Sequence, residues 1–251
     1  MISGVIISYN EEANIERCIR SMQGVVDEVL LVDSHSTDNT AKLALSLGAR
    51  VIKQEFLGYI AQKDFAMRNA KYDWVLSLDA DEALSEELKQ SLNQINVLSL
   101  QFSGYIMNRR NWYCEKWIKY AGWYPDRKLR LWNKRYGKWG GVDPHDKVLL
   151  DHDQQSSRLN GDILHYTYMS IKDHLAQTRK FAKVSSLAMH KSGLKASYLN
   201  VILSPLARFI RDYIIKLGIL EGRLGLSLCI INAYGVYLKY NTLKSISQTT
   251  V

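Results

Sequence analysis

The stretch W-V-L-S-L-D-A-D-E-A-L, residues 74–84, runs an apolar segment straight into three carboxylates, Asp79, Asp81 and Glu82. A short uninterrupted apolar run that stops at a turn reads as a strand buried on both faces, the kind a parallel sheet contains. Upstream of it, apolar runs alternate with helical periodicity. Residues 2–8 (ISGVIIS) read as a strand, 13–22 as a helix with Ile15, Cys18, Ile19 and Met22 on one stripe, and 28–33 (EVLLVD) as a second strand. Residues 37–48 form a helix stopped by Gly48, 49–54 a third strand, 59–70 a third helix and 74–79 the fourth strand. This β-α-β-α-β-α-β order predicts a doubly wound parallel sheet. Ligands in such sheets bind beyond the carboxyl ends of the strands.

The strand ends are therefore the place to look for chemistry. They carry Tyr9-Asn10-Glu11-Glu12 after strand one, Asp33-Ser34-His35-Ser36 after strand two and Asp79-Ala80-Asp81 after strand four. A purely structural reading makes Asn10, Ser36 and Thr37 helix caps and gives Glu11, Glu12, Glu86 and Glu87 to helix N-termini. It does not suit Asp79 and Asp81, because Ser85 is the better cap for the following helix. Two carboxylates at i and i+2, leaving a strand into a turn, can reach one divalent cation and a nucleotide beside it; hard oxygen ligands suit Mg²⁺ or Mn²⁺.

Composition bounds the rest. The chain has 251 residues, 47% of them hydrophobic, with a formal net charge of +8, three prolines and three cysteines. Cys18, Cys114 and Cys229 form no C-x-x-C pair, which fits a reducing compartment and argues against a disulfide framework or zinc cluster. The first residues carry no basic leader, so no signal peptide is expected. The middle third is rich in Trp, Tyr, Lys and Arg, and from about Ser170 the pattern is helical. Within that tail, residues 206–217 place Leu206, Phe209, Ile210, Tyr213, Ile214 and Leu217 on one stripe opposite charged residues. The stripe packs on the catalytic domain, forms a homodimer face, or lies in an anionic membrane interface. The following uncharged run of about fifteen residues is shorter than the roughly twenty a bilayer requires, so a spanning helix is not expected.

In order and spacing, VIISYNEEANIERCIRSM, EVLLVDSHSTDNTAKLALSLGA and WVLSLDADEAL resemble the family 2 inverting glycosyltransferases with the GT-A fold. GYIAQKDFAM, AGWYPDRKLRLW and GDILHYTY further resemble the bacterial glucosyltransferases of the lipopolysaccharide core. The resemblance implies a Rossmann-like, mostly parallel sheet flanked by helices, with a C-terminal helical extension. Residues 1–100 would be the nucleotide-sugar half, 101–169 the acceptor and catalytic half, and 170–251 the extension, membrane-associating or oligomerising. It also implies a UDP-sugar donor, with Tyr9 and Asn10 lining the nucleotide site, Asp33 on the base, Gln62 and Lys63 closing the uracil pocket and Asp79 near the ribose. Asp81 would hold the cation, with His165 as a further ligand. An anionic leaving group also needs charge stabilisation, which Arg127, Arg130 and Lys128 can supply.

An acceptor hydroxyl needs a general base. Relatives carry a Val-His-Glu pattern where this chain has GGVDPHDKVLL, so the base lies between Asp146 and Asp143, with Asp146 favoured because it follows His145 and precedes a strand. Trp112, Trp117, Trp123, Tyr124 and Trp139 are candidates for stacking on sugar, Trp123 and Tyr124 first. The implied acceptor is a saccharide of the lipopolysaccharide inner core, the location cytoplasmic at the inner face of the membrane. Other UDP-sugars or a non-catalytic sugar-nucleotide binder are the alternatives. Nucleic-acid binding is disfavoured by the acidic rim and the lack of a recognised motif. DADEAL lacks the D-x-D-G turn with Thr or Val that an aspartyl phosphotransferase needs, and SYNEEAN is not the Gly-rich loop of a nucleotidyltransferase.

Overall fold

Strand β1 (Ile2–Ser8) is buried almost throughout and is hydrogen-bonded in parallel on both sides, to β2 (Glu28–Asp33) and to the fourth strand of the chain. A computed structural model describes residues 1–95, 101–142 and 145–249. Helix α1 (Glu12–Met22) returns the chain between the first two strands and buries Ile15, Cys18, Ile19 and Met22, the i, i+3, i+4, i+7 face expected of it. Helix α2 (Thr40–Ser46) leads to β3 (Arg50–Lys53), and α3 (Tyr59–Asn69) leads to β4 (Trp74–Asp79). The parallel half, β3-β2-β1-β4, is the alternating unit predicted from residues 2–79.

Beyond β4 the sheet changes sense. A short β5 (Glu82–Leu84) and α4 (Glu86–Asn93) follow, then β6 (Gly104–Tyr113), β7 (Lys116–Trp117) and β8 (Asp126–Asn133). Strands β9 (Gly137–Val142) and β10 (His145–Leu150) pair as a separate antiparallel ribbon, and β11 (Ser156–Tyr168) returns to the main sheet. The order is β3-β2-β1-β4-β8-β6-β11-β5, with β8 antiparallel to both β4 and β6. Between β6 and β8 the register slips: Tyr105 faces Leu131 and Ile106 faces Leu129, so Arg130 is the additional residue of a bulge. Bulges re-aim side chains and are frequent beside active sites.

Two compact units result. The first comprises Met1–Arg110 and Asp126–His165, the second Asn111–Pro125 and Tyr166–Val251. The first has an apolar cluster on each side of its sheet, one around Ile6, Ile19, Leu76 and Leu131, the other around Val5, Leu30, Met67 and Trp132. The second is built from α5 (Ile171–Lys191), α6 (Tyr198–Ile210), a π turn at Arg211–Ile215, a 3₁₀ turn at Gly218–Glu221 and α7 (Gly222–Thr249). Its core joins Tyr113, Ile118 and Ala121 to Leu228 and Cys229. The buried Glu221 accepts from the backbone of Lys119 (2.7 Å) and Tyr120 (3.0 Å) and pairs with Lys116 (2.6 Å). Residues 111–125 thus share a core with the tail. The uncharged run that looked too short to span a bilayer belongs to the 28-residue α7, and Gly218–Ser247 is long and apolar enough to cross one by length and composition.

Candidate active site

The carboxyl end of β4 is one step in a chain of alternating charges. Lys63, projected from α3, places Nζ 2.6 Å from Asp79 Oδ1 and 2.8 Å from Asp146 Oδ2 on β10. The other Asp79 oxygen accepts from Arg130 Nη2 at 2.8 Å, and the same nitrogen donates to Glu82 Oε1 at 2.9 Å. Glu82 in turn lies 3.2 Å from Arg109, which donates to Asp126 at 2.6 Å, and Lys128 closes the series 3.1 Å from Asp126. Reading along, Asp146, Lys63, Asp79, Arg130, Glu82, Arg109, Asp126 and Lys128 alternate in sign without a break. Trp139 lies beneath both inner cations, its ring 4.8 Å from Lys63 Nζ and 5.9 Å from Arg130 Cζ, within cation–π range.

Burial makes this network consequential. Glu82 and Lys63 are almost wholly buried, as is Arg130. Burial would push the Asp79 carboxyl up, but Arg130 and Lys63 outweigh it and hold Asp79 well below the usual carboxylate range. Burial likewise opposes the charge on Arg130, and Asp79 and Glu82 more than restore it. Asp126 is lowered against its own desolvation by Arg109 and Lys128. Glu82 also accepts the Asp79 backbone N–H at 2.9 Å, which fixes the turn that presents Asp81. Among the described residues, two donors of Arg130, Nε and Nη1, are buried without a protein partner, as is Gln62 Oε1.

Asp81, one turn residue further, meets His165 of β11: Nε2 and Oδ2 are 3.2 Å apart, although the residues are 84 positions apart in sequence. Both remain partly accessible. The register brings them together, since His165 is paired with Glu82 of β5.

The remaining candidates fall in different places. Asn10 and the Ser36–Thr37 loop do not cap helices; the N-caps of α1 and α2 are Glu11 and Asn39, neither with a side-chain cap bond. Instead Asn10 Oδ1 accepts from Thr37 N at 2.8 Å and Asn10 N donates to Ser36 Oγ at 2.9 Å, stitching the two loops together. The buried Asp33 fastens the same loops, accepting from Ser8 Oγ (3.1 Å), Ser36 N (2.9 Å) and Ser36 Oγ. Gln62 donates to Ser34 Oγ at 3.1 Å. Tyr9 is exposed. Arg127 is exposed too and takes no part in the charge chain that Lys128 and Arg130 join. Trp123 and Tyr124 belong to the second unit, where Trp123 packs against Tyr113, Tyr168 and His174. Asp143 lies outside the described residues. Ser85 caps α4 as expected, accepting from Leu88 N at 3.2 Å.

A Rossmann-like half with a D-x-D turn at its rim narrows the reading, and residues 3–150 match the family described as Glycosyl transferase family 2. The chain belongs to glycosyl transferase family 2. This family 2 transferase is 32% identical over 260 residues to an uncharacterized glycosyltransferase of Rickettsia bellii, covering 98% of this chain and 87% of that one. It is 28% identical over 223 residues to the lipopolysaccharide core biosynthesis glycosyltransferase LpsC of Rhizobium meliloti, covering 84% of this chain and 80% of LpsC. A glucosyl-3-phosphoglycerate synthase from Mycobacterium tuberculosis, solved with Mn²⁺, uridine diphosphate and its product, is 26% identical over 45% of this chain and 44% of that one. Its TM-score of 0.35 is too low to inform the site.

Sequence reasoning passed over Glu82, Arg109 and Asp126 as members of the site of this family 2 transferase. Nothing local in the sequence marks them: Arg109 and Asp126 meet only through the register of adjacent strands, and Glu82 reads as a further acid of the turn.

Proposed function

We propose that this enzyme transfers a hexose, glucose from UDP-glucose, to a saccharide of the lipopolysaccharide inner core with inversion at the anomeric carbon. The observation that carries the donor half is the Asp81–His165 pair at 3.2 Å, set beside Asp79 and Arg130. A cation fits that pair in a particular way. Among the described residues no cluster of three or more His, Cys, Asp or Glu is arranged to hold a metal, so the protein offers one carboxylate and one imidazole. Mg²⁺ and Mn²⁺ sites are commonly completed by substrate phosphates and water, which suits a cation arriving with the nucleotide. When bound, the cation supplies Lewis-acid charge neutralisation at the diphosphate.

The chain's own groups supply the rest. The two buried, unpartnered donors of Arg130 are the groups that would meet a phosphate oxygen seated beside them, and charge-assisted bonds of that kind are the strong ones. The unmet acceptor of Gln62, beside the Asn10, Asp33 and Ser34 loops, suits an imide N–H of the base, with Tyr9 alongside. Asp79, kept ionised by Lys63 and Arg130, accepts from the ribose. Asp146 takes the proton of the acceptor hydroxyl; the oxygen attacks the anomeric carbon as the bond to the diphosphate breaks, so one displacement inverts the centre. The likeness to LpsC supports the acceptor class, and the use of a nucleotide-sugar donor supports a cytoplasmic location. The test is calorimetric titration with UDP-glucose plus Mn²⁺ or Mg²⁺, then with EDTA. Metal-dependent binding that Asp81→Ala removes supports the reading. Binding of UDP but not UDP-glucose discards the sugar, and metal-independent binding discards the role of Asp81.

A further inference from the structure

We infer that the second unit docks on the surface of an anionic phospholipid bilayer through the outward face of α6 and the turns that follow it. The inference stands on this unit alone and does not rest on the donor or acceptor reading. Helix α6 has no buried residue. Leu199 (66% exposed), Ile202 (64%), Leu203 and Leu206 project from one side of it, and the turns beyond add Ile214 and Ile215 (71%). Ile202 and Leu206 also form the outer lip of an open apolar groove that Val201, Pro205 and Phe209 line against Ile230 and Tyr234 of α7. Helix α7 leaves this face open: Leu199, Ile202, Leu203 and Leu206 stay more than half exposed, and Ile230 and Tyr237 across the groove are exposed as well. Soluble surfaces rarely show a contiguous apolar patch of this kind without a partner.

Charge identifies the partner. Residues 170–251 contain twelve Lys and Arg against three Asp and Glu, a net of +9, while the whole chain is +8; residues 1–169 are therefore −1. All the surplus positive charge sits in the tail. After Asp173 the only carboxylates among the described residues are Asp212 and Glu221, and both are buried, held by Arg208 and Arg211 and by Lys116. The rim of the apolar patch is thus purely cationic, with Lys191 and Lys195 before α6 and Arg211, Lys216 and Arg223 after it, all exposed. An apolar face with a basic border is the pattern of an interfacial helix on an anionic leaflet. A twofold dimer through the same face would set one cationic rim against its copy with no acid to answer it, because an isologous interface is self-complementary.

The experiment is co-sedimentation of the full chain with extruded vesicles, of phosphatidylcholine alone and of phosphatidylcholine with phosphatidylglycerol. Binding is expected to rise at least ~10-fold with phosphatidylglycerol and to fall steeply on going from about 0.1 to 0.5 M salt. Ile202→Glu/Leu206→Glu should lower it about 10-fold or more while circular dichroism stays unchanged. Lys191→Glu/Lys195→Glu, which leaves the apolar face intact, should remove the phosphatidylglycerol preference. Equal sedimentation of the wild type and the double-Glu variant would overturn the proposal. So would protein that resists carbonate extraction, which would make Gly218–Ser247 a span. A dimer in solution that the double-Glu variant disperses, with no vesicle binding, would overturn it in favour of a second copy.

Discussion

Lys63 joins two carboxylates assigned to different tasks, one on the donor side and one to the acceptor hydroxyl. Asp146→Asn should leave the calorimetric affinity for donor within about twofold while kcat falls by roughly 10²–10⁴, the usual contribution of a general base. Arg130 is the more dangerous residue to lose. Arg130→Met leaves Asp79 with Lys63 alone and Glu82 with Arg109 alone in a buried setting, and removing one partner of a buried ion pair costs up to about 3–5 kcal/mol. The pH dependence has a definite sign. Asp79 is held below its unfolded value, so its contribution is full above the ordinary carboxylate range and drains away as pH falls toward the depressed folded value. With Arg130 gone the depression shrinks, so acid unfolding followed by tryptophan fluorescence should begin at higher pH than in the wild type. An unchanged acid limb would remove Arg130 from this account. At this scale the sequence pointed to Asp79 and Asp81 because motif and position coincide, and to His165 only through the family resemblance. It could not expose Glu82, since a carboxylate in a turn looks solvated until β5 is seen beside β11, with Arg109 and Arg130 upon it.

Among the elements, the parallel half was legible because each strand is a continuous apolar run and each helix a clean stripe. Helix α2 is shorter than the predicted 37–48 because Asp38 and Asn39 are engaged elsewhere, Asp38 accepting from Glu12 N and Thr40 N and Asn39 donating to Glu12. The second half was harder to read, because its strands are antiparallel, aromatic and interrupted. One contact there invites a test. Gly161 in β11 has φ +94°, and a Cβ at that position would lie 2.3 Å from the backbone nitrogen of Leu88 in α4. Gly161→Ala forces both an unfavourable backbone region and a backbone clash, so a loss of at least ~1–3 kcal/mol in denaturant unfolding is expected. Ser85→Ala removes the α4 cap and the bond to Asp162 N at 3.0 Å, and should cost about 1 kcal/mol by the same measurement.

For the molecule as a whole, the tail is part of the protein's architecture and not a detachable anchor. Deleting residues 198–251 would uncover Tyr113, Ile118 and Ala121 and leave Lys119 and Tyr120 without the Glu221 carboxylate. The truncated chain should express poorly or unfold at a Tm several degrees lower, whereas Ile202→Glu/Leu206→Glu should match the wild type within about 0.5 kcal/mol, as exposed substitutions do. Thermal unfolding of the two variants side by side distinguishes these outcomes. The sequence made the helical nature of the tail plain. It hid the partnership with residues 111–125, because a core shared across a hundred residues leaves no periodic trace.

The slipped register at Arg130 is, in effect, a change of parity. Continued without interruption, the pairing of Tyr105 with Leu131 would bring Arg109 opposite Arg127, two guanidiniums side by side. The one additional residue moves the frame so that Arg109 meets Asp126 instead, and a repulsion becomes an ion pair. Removing Arg130 itself would therefore smooth the ladder and leave Arg109 opposite Asp126; what would vanish is the one side chain the ladder has no place for, the guanidinium between Asp79 and Glu82.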